Sequence, residues 1–180
     1  MRYAHATATD REAATCALPG RMALRDFLAN VPLPEPVIAA LLIGLALRYL
    51  APVRLRRTPG ALRPLGGALM LGGSALIVWS TVQAQDMRIA EPDRLLTRGP
   101  YAWSRNPMYV GWIGTAAGLS LGLNSVWLLL TTLLALLYLH NVEIPAEEAE
   151  LAGAFGRAYA HYRDQVPRYG GSWRRHAATR

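Results

Sequence analysis

Residues 108–140 contain no Asp, Glu, Lys or Arg, which is the pattern of a segment surrounded by lipid. At about 1.5 Å per residue, a single helix of this length is longer than the roughly 30 Å hydrocarbon core of a bilayer. Turn-forming residues lie near its middle, in the sequence Gly122-Leu123-Asn124-Ser125. We therefore predict a helical hairpin with arms over 109–121 and 126–140. The alternative is one steeply tilted helix, which would place the polar sequences before and after it on opposite faces of the membrane.

Two earlier blocks are also apolar. Residues 37–53 follow a proline-rich stretch and contain one charge, Arg48, while residues 65–82 are rich in glycine, alanine and serine, which allow close helix packing in lipid. After the hairpin, residues 146–162 carry apolar side chains at intervals of three or four, the spacing of an amphipathic helix. The sequence thus predicts an all-α, polytopic membrane protein with about four transmembrane helices and a C-terminal amphipathic cytosolic helix.

Charge indicates how the chain is placed in the membrane. All 19 basic residues are arginine, the net charge is +7, and the arginines flank apolar blocks instead of lining one face. We interpret them as anchors for anionic phospholipid headgroups and not as a nucleic-acid site. Most fall on the side of the polar 85–107 loop, which predicts that this side faces the cytoplasm. We expect the membrane to be a bacterial inner membrane. We divide the chain into a polar extension, 1–30, and one membrane domain, 31–180.

The first motif, residues 98–111, joins the polar loop to the hairpin and reads R-G-P-Y-A-W-S-R-N-P-M-Y-V-G. Proline in the first turn of a helix is well tolerated, and an arginine with aromatic neighbours is common at a membrane boundary. The string resembles the G-x-Y-x-x-x-R-H-P-x-Y-x-G signature of the isoprenylcysteine carboxyl methyltransferase and phospholipid N-methyltransferase family. Asn106 replaces the histidine of that signature, which keeps hydrogen bonding but removes proton transfer near neutral pH.

The second motif, residues 147–168, reads E-E-A-E-L-A-G-A-F-G-R-A-Y-A-H-Y and ends in V-P-R. Alone, it is also compatible with a surface helix whose acidic first turn complements the helix dipole. It resembles the E-E-x-x-L-x-x-x-F-G-x-x-Y-x-x-Y element of the same family. Both motifs occur in the family's order, separated by one apolar hairpin, so the resemblance covers residues 98–168.

The resemblance implies an enzyme that uses S-adenosyl-L-methionine to methylate a lipid or small hydrophobic acceptor at the membrane–cytosol boundary. The acceptor, a carboxylate, thiol or amine, would enter from the bilayer. An arginine suits the cofactor's carboxylate, a glutamate its hydroxyl or ammonium groups, and aromatic rings its adenine. We expect Arg105 and Glu148 to be catalytic, and no metal. The predicted cofactor-binding residues are Gly99, Tyr101, Trp103, Arg105, Asn106, Pro107, Tyr109, Glu147 and Glu148.

Two other functions are compatible with parts of this pattern. One is an NADPH-dependent membrane reductase related to sterol reductases, for which the chain is short. The other is a non-enzymatic, lipid-binding membrane scaffold, which predicts no affinity for the cofactor. Binding of S-adenosylhomocysteine would separate the three functions.

Overall fold

The computed structural model describes residues 34–58, 60–84 and 95–170. Within these ranges the regular secondary structure is helical, with one isolated antiparallel bridge between Arg54 and Ser125 in the connecting segments, so the all-α prediction is confirmed for them. The polar extension predicted over 1–30 and residues 85–94 of the predicted loop lie outside the described residues. The helices are α1 (Glu35–Leu50), α2 (Leu62–Ala84), a short 3-10 helix (Gly99–Ala102), α3 (Pro107–Gly122), α4 (Val126–Tyr138), a π-helical segment (Leu139–Glu143), α5 (Ile144–Phe155) and α6 (Arg157–Gln165).

Glycine allows α2 and α3 to pack closely. A Cβ atom on Gly73 would lie 2.6 Å from the carbonyl oxygen of Gly111, and one on Gly118 would lie 2.6 Å from that of Gly66. No side chain fits at these distances, so the two backbones are in direct contact, as in other small-residue interfaces of membrane helices. Gly67, on the other hand, has no atom within 4 Å of its virtual Cβ.

The chain reverses direction between α3 and α4, within the predicted Gly122-Leu123-Asn124-Ser125 sequence. Asn124 adopts a positive φ of 51°, a conformation that asparagine tolerates better than most residues. Ser125 then caps α4, because its hydroxyl accepts a hydrogen bond from the backbone N–H of Leu128 at 3.4 Å. The charge-free run is therefore a helical hairpin, and the interpretation as one tilted helix is wrong.

The α1–α2 connection is attached to this turn. The Asn124 amide donates to the Arg56 carbonyl at 2.7 Å and accepts from the Arg56 N–H at 3.0 Å. The Arg48 guanidinium donates to the carbonyl of Leu123, at the C-terminal end of α3, at 2.6 Å. Arg48 thus satisfies a helix-end carbonyl, which is a structural role. We call this part of the bundle, residues 48–65 together with 119–127, the far end.

Helix α4 does not stop near residue 140 as predicted. It continues through the π-helical segment into α5, and this continuous stretch, Val126–Phe155, and α2 are the two helices in the described ranges that are long and apolar enough to cross a membrane. Pro145 is the second residue of α5. A proline ring clashes with the carbonyl four residues earlier in a regular helix, and the wider π turn directly before Pro145 makes room for it.

The amphipathic helix predicted over 146–162 is two helices. Gly156, with φ of +50°, ends α5 and starts α6, because a left-handed residue cannot continue a right-handed helix. The change of direction lets α6 bury Tyr159 and Tyr162 together with Val166, against Phe155 of α5. The bend therefore buries Tyr159 and Tyr162 within the protein, while Leu151 and Phe155 are partly buried beside them.

Candidate functional site

The two sequence motifs meet where α3 begins and α5 passes. Arg105 lies two residues before α3, and its Nη2 is 3.4 Å from Oε1 of Glu148 in α5. Both side chains are largely buried, with exposed fractions of 10% and 15%. This contact between residues distant in sequence exists because the α3–α4 hairpin returns the chain to the end of the bundle at which it entered.

A second arginine, Arg168, binds the same carboxylate. Its Nε donates to Oε1 of Glu148 at 3.0 Å and its Nη2 donates to Oε2 at 2.7 Å, a bidentate pair. These hydrogen bonds with Glu148 raise the pKa of Arg168 above its ordinary value. Arg168 was not among the predicted site residues, although it is the arginine of the V-P-R sequence that ends the second motif.

Arg105 retains unused hydrogen-bonding capacity. Its Nε and Nη1 are buried and have no hydrogen-bond partner among the described residues. Most buried hydrogen-bond donors in proteins have a partner. A buried donor without one lowers the stability of the fold, and the loss is larger when the group is charged. A guanidinium with two free donors beside a carboxylate that already holds its third nitrogen has the geometry of a site for an anionic ligand group.

The backbone before α3 is joined to the C-terminal segment. The N–H groups of Arg105 and Asn106 donate to the carbonyls of Pro167 and Arg168 at 3.0 and 3.3 Å. The fully buried Ser104 hydroxyl and the Asn106 side-chain amide also donate to the Arg168 carbonyl, at 2.9 and 3.4 Å. Asn106, a predicted cofactor-binding residue, thus donates through its amide to the segment that carries Arg168. The role of Ser104 was missed, since no local sequence signal marks it.

Tyrosine side chains line the approach to the glutamates. Burial and the charge of Glu147 raise the pKa of Tyr101 to about 12. The Tyr162 hydroxyl donates to the Tyr101 carbonyl at 2.7 Å, which fixes the 3-10 helix on α6. On α3, the Tyr109 hydroxyl donates to Glu143 Oε1 in the π-helical segment at 3.3 Å. Tyr101 and Tyr109 thus lie near the first turn of α5, which carries Glu147. Glu147 itself is exposed.

The other predicted residues of the first motif shape the backbone. Gly99, at φ of +61°, packs against α2, because a Cβ atom there would lie 2.9 Å from the side chain of Gln83. Pro107 is buried at the first position of α3. Trp103 is half-exposed and contacts Gly170, where a Cβ atom would lie 2.6 Å from the indole ring. Gly99 and Pro107 therefore each have a structural role at the start of the motif helices.

Apolar helices with polar motifs at one end of a hairpin define a helical integral membrane protein. Residues 62–158, more than half of the chain, match the family model described as phospholipid methyltransferase. The chain therefore belongs to the phospholipid methyltransferase family, and the resemblance seen in the two motifs is confirmed.

Named relatives agree with this assignment. The chain is 36% identical over 72 residues to the protein-S-isoprenylcysteine O-methyltransferase of Tribolium castaneum, a match covering 40% of this chain and 26% of the relative. For the same enzyme of Schizosaccharomyces pombe the identity is 38% over 73 residues, covering 41% and 31%. The solved structure of the eukaryotic intramembrane Ras methyltransferase, isoprenylcysteine carboxyl methyltransferase, superimposes with a TM-score of 0.57 at 25% identity.

The structural match covers 74% of this chain and 50% of the solved one. The present chain thus spans about half of the solved structure and about a quarter to a third of the curated relatives. All of these relatives are named as methyltransferases, which does not favour the reductase alternative.

Proposed function

We propose that this protein transfers a methyl group from S-adenosyl-L-methionine to a lipophilic acceptor at the membrane boundary. The observation that carries the proposal is the buried Arg105 guanidinium, which has two free donors and is held at its third nitrogen by Glu148. A carboxylate oxygen of a ligand can accept a charge-assisted hydrogen bond from Nε or from Nη1. The methionine end of the cofactor carries such a carboxylate.

The neighbouring residues suit the rest of the cofactor. Glu147 is exposed next to Glu148 and supplies acceptor oxygens for an ammonium group or for ribose hydroxyls. Tyr101 and Tyr109 offer aromatic surface for adenine or for a sulfonium cation. When bound, the cofactor supplies an electrophilic methyl group to a nucleophilic heteroatom. The protein's contribution is then to align the reactants and exclude water, which in favourable cases is worth on the order of 7 to 11 kcal/mol.

Within this site the residues divide by role. Arg105 and Glu147 would contact the ligand, as would the aromatic rings. Glu148 and Arg168 act through Arg105: the carboxylate sets the position of its guanidinium, and the bidentate Arg168 pair holds the carboxylate. Asn106 in turn holds the backbone of Arg168. Asparagine can make this hydrogen bond at the position where the family signature has histidine.

The acceptor would reach the site from the bilayer. The helices near the site expose large apolar side chains, as expected for a surface in contact with lipid. We propose a lipid or small hydrophobic molecule carrying a carboxylate, thiol or amine, entering between helices close to Tyr109. We also propose that residues 31–180 form one domain with four membrane-spanning helices. The site would then face the cytoplasm from a bacterial inner membrane.

The test is equilibrium binding of S-adenosylhomocysteine to the purified full chain in lipid nanodiscs. We expect Arg105→Ala to weaken binding about tenfold or more, equivalent to about 1.4 kcal/mol, because the carboxylate of the ligand loses a charged hydrogen-bond donor. Arg157→Ala, which removes an exposed arginine at the start of α6, is the matched control and should bind as the wild type does. Absence of binding to the wild type at high micromolar ligand would support a scaffold instead. Equal affinity in the two variants would refute the site.

A further inference from the structure

The far end of the bundle is strongly positive. Residues 48–65 and 119–127 contain five arginines and no aspartate or glutamate. At the candidate site, by comparison, guanidinium groups are paired with Glu148. Positive charge without a compensating carboxylate at the end of membrane helices attracts anions from its surroundings. The five residues are Arg48, Arg54, Arg56, Arg57 and Arg63.

Two of these arginines line one cavity of about 420 Å³, which opens to the outside of the bundle. Leu45 and Tyr49 of α1 also line it, and Leu45 lies three residues before Arg48 and four before Tyr49, so its side chain is a neighbour of both on the helix surface. Pro52 and Arg54, from the segment after α1, complete its lining. The cavity therefore combines two cations with apolar and aromatic walls.

Both arginines are held in position by the α3–α4 turn. One nitrogen of Arg48 donates to the Leu123 carbonyl at 2.6 Å, which leaves its other donors available. The backbone of Arg54 forms the antiparallel bridge with Ser125, and the next N–H, that of Leu55, donates to the Asn124 carbonyl at 3.3 Å. A cleft whose backbone is fixed in this way loses little entropy when a ligand binds.

Apolar surface continues from the cavity along α1. Leu42 and Tyr49 are 63% and 88% exposed, and Leu50 is exposed beside them. We propose that the cavity binds the phosphate of an anionic phospholipid, with Arg48 and Arg54 on the phosphate and an acyl chain lying along Leu45 and Leu42. Free phosphate would use the two cations but not the apolar wall, so the surroundings favour the lipid. This site is at the opposite end of the bundle from Arg105 and is independent of the proposed enzymatic function.

The experiment is native mass spectrometry of the purified, delipidated full chain, titrated with phosphatidylglycerol or with phosphatidylcholine. We expect the wild type to retain phosphatidylglycerol in preference to phosphatidylcholine. Arg54→Gln should weaken phosphatidylglycerol binding about fivefold, the effect of one arginine near a lipid phosphate. Arg54→Lys should retain most of the affinity. Arg57→Gln, which removes an exposed far-end arginine that does not line the cavity, is the matched control.

Three results would overturn the proposal. Equal losses in Arg54→Gln and Arg57→Gln would show a diffuse positive surface without a site. Equal retention of the two lipids would show that the phosphate charge is not recognised. Displacement of phosphatidylglycerol by an equal concentration of inorganic phosphate would identify free phosphate as the ligand. Thermal unfolding without added lipid separates these outcomes from misfolding, and if Arg54→Gln is destabilised, failure of a stable Arg54→Lys to bind would also refute the site.

Discussion

Replacing Glu148 by glutamine removes the charge that lies between two guanidinium groups while nearly preserving the side chain's shape. Glutamine has one acceptor oxygen, so Arg168 keeps one of its two hydrogen bonds and Arg105 loses its ion pair. Hydrogen bonds to charged groups contribute about 1.5 to 3 kcal/mol each. Since Arg168 is 29% exposed and water screens part of its interaction, we expect a loss of about 2 kcal/mol in the free energy of unfolding.

For a chain of this size, that loss corresponds to a decrease of about 4 to 8 °C in the unfolding midpoint. Affinity for S-adenosylhomocysteine should fall about tenfold, because Arg105 is no longer held for the ligand. Thermal unfolding in detergent and equilibrium binding measure the two effects. Glu150→Gln, an exposed position in the same helix, is the control.

A double-mutant cycle with Arg168→Gln isolates the pair. If the bidentate contact exists, the two substitutions should couple by about 1 to 2 kcal/mol in stability. The reasoning fails if Glu148→Gln unfolds and binds as Glu150→Gln does. It also fails if the effects of the two substitutions are additive, because the carboxylate and Arg168 would then act independently.

Two further predictions concern packing and pH. Gly118→Leu should destabilise the bundle by about 3 kcal/mol or more, since its Cβ would meet backbone atoms of α2 at 2.6 Å. Gly67→Leu, whose Cβ meets no atom, should change stability by less than about 0.5 kcal/mol. Similar unfolding midpoints for the two variants would contradict the α2–α3 contact. Because the pKa of Tyr101 is raised from its ordinary 10.0 to about 12, the folded state favours the neutral phenol, and this stabilisation is present below pH 10 and lost as the pH rises to about 12. Unfolding midpoints measured across that window should fall less for Tyr101→Phe than for the wild type, and parallel curves would show that Tyr101 is not buried.

The helical architecture could be predicted because it depends on local composition. A charge-free run too long for one crossing, with asparagine and serine near its middle, requires a turn at Asn124. The continuation of α4 into α5 could not be predicted, since Pro145 normally starts or ends a helix, and only the π turn before it permits the helix to pass. The bend at Gly156 also depends on tertiary contacts, because it buries Tyr159 and Tyr162 against the rest of the protein.

The contact between Arg105 and Glu148 could be predicted from the sequence, but the contacts that support it could not. Arg105 and Glu148 are each in a family motif, and the hairpin was sufficient to bring them together. Arg168 had a signal in the V-P-R sequence, but its contact with Glu148 depends on how the chain returns after α6. Asn106 makes a contact that the family signature did not indicate, because its amide donates to the carbonyl of Arg168. Contacts of this kind, between a site residue and a distant part of the backbone, leave no periodicity or spacing in the sequence.

The π-helical segment does more than lengthen α4 so that it can cross the bilayer. Its wider turn accommodates one residue more than an α-helical turn, so it sets the rotational phase of everything that follows. Each residue of an α-helix advances the direction of a side chain by about 100°. Loss of a single residue between Leu139 and Glu143 would therefore turn Glu148 away from Arg105, although every side chain of the site would still be present.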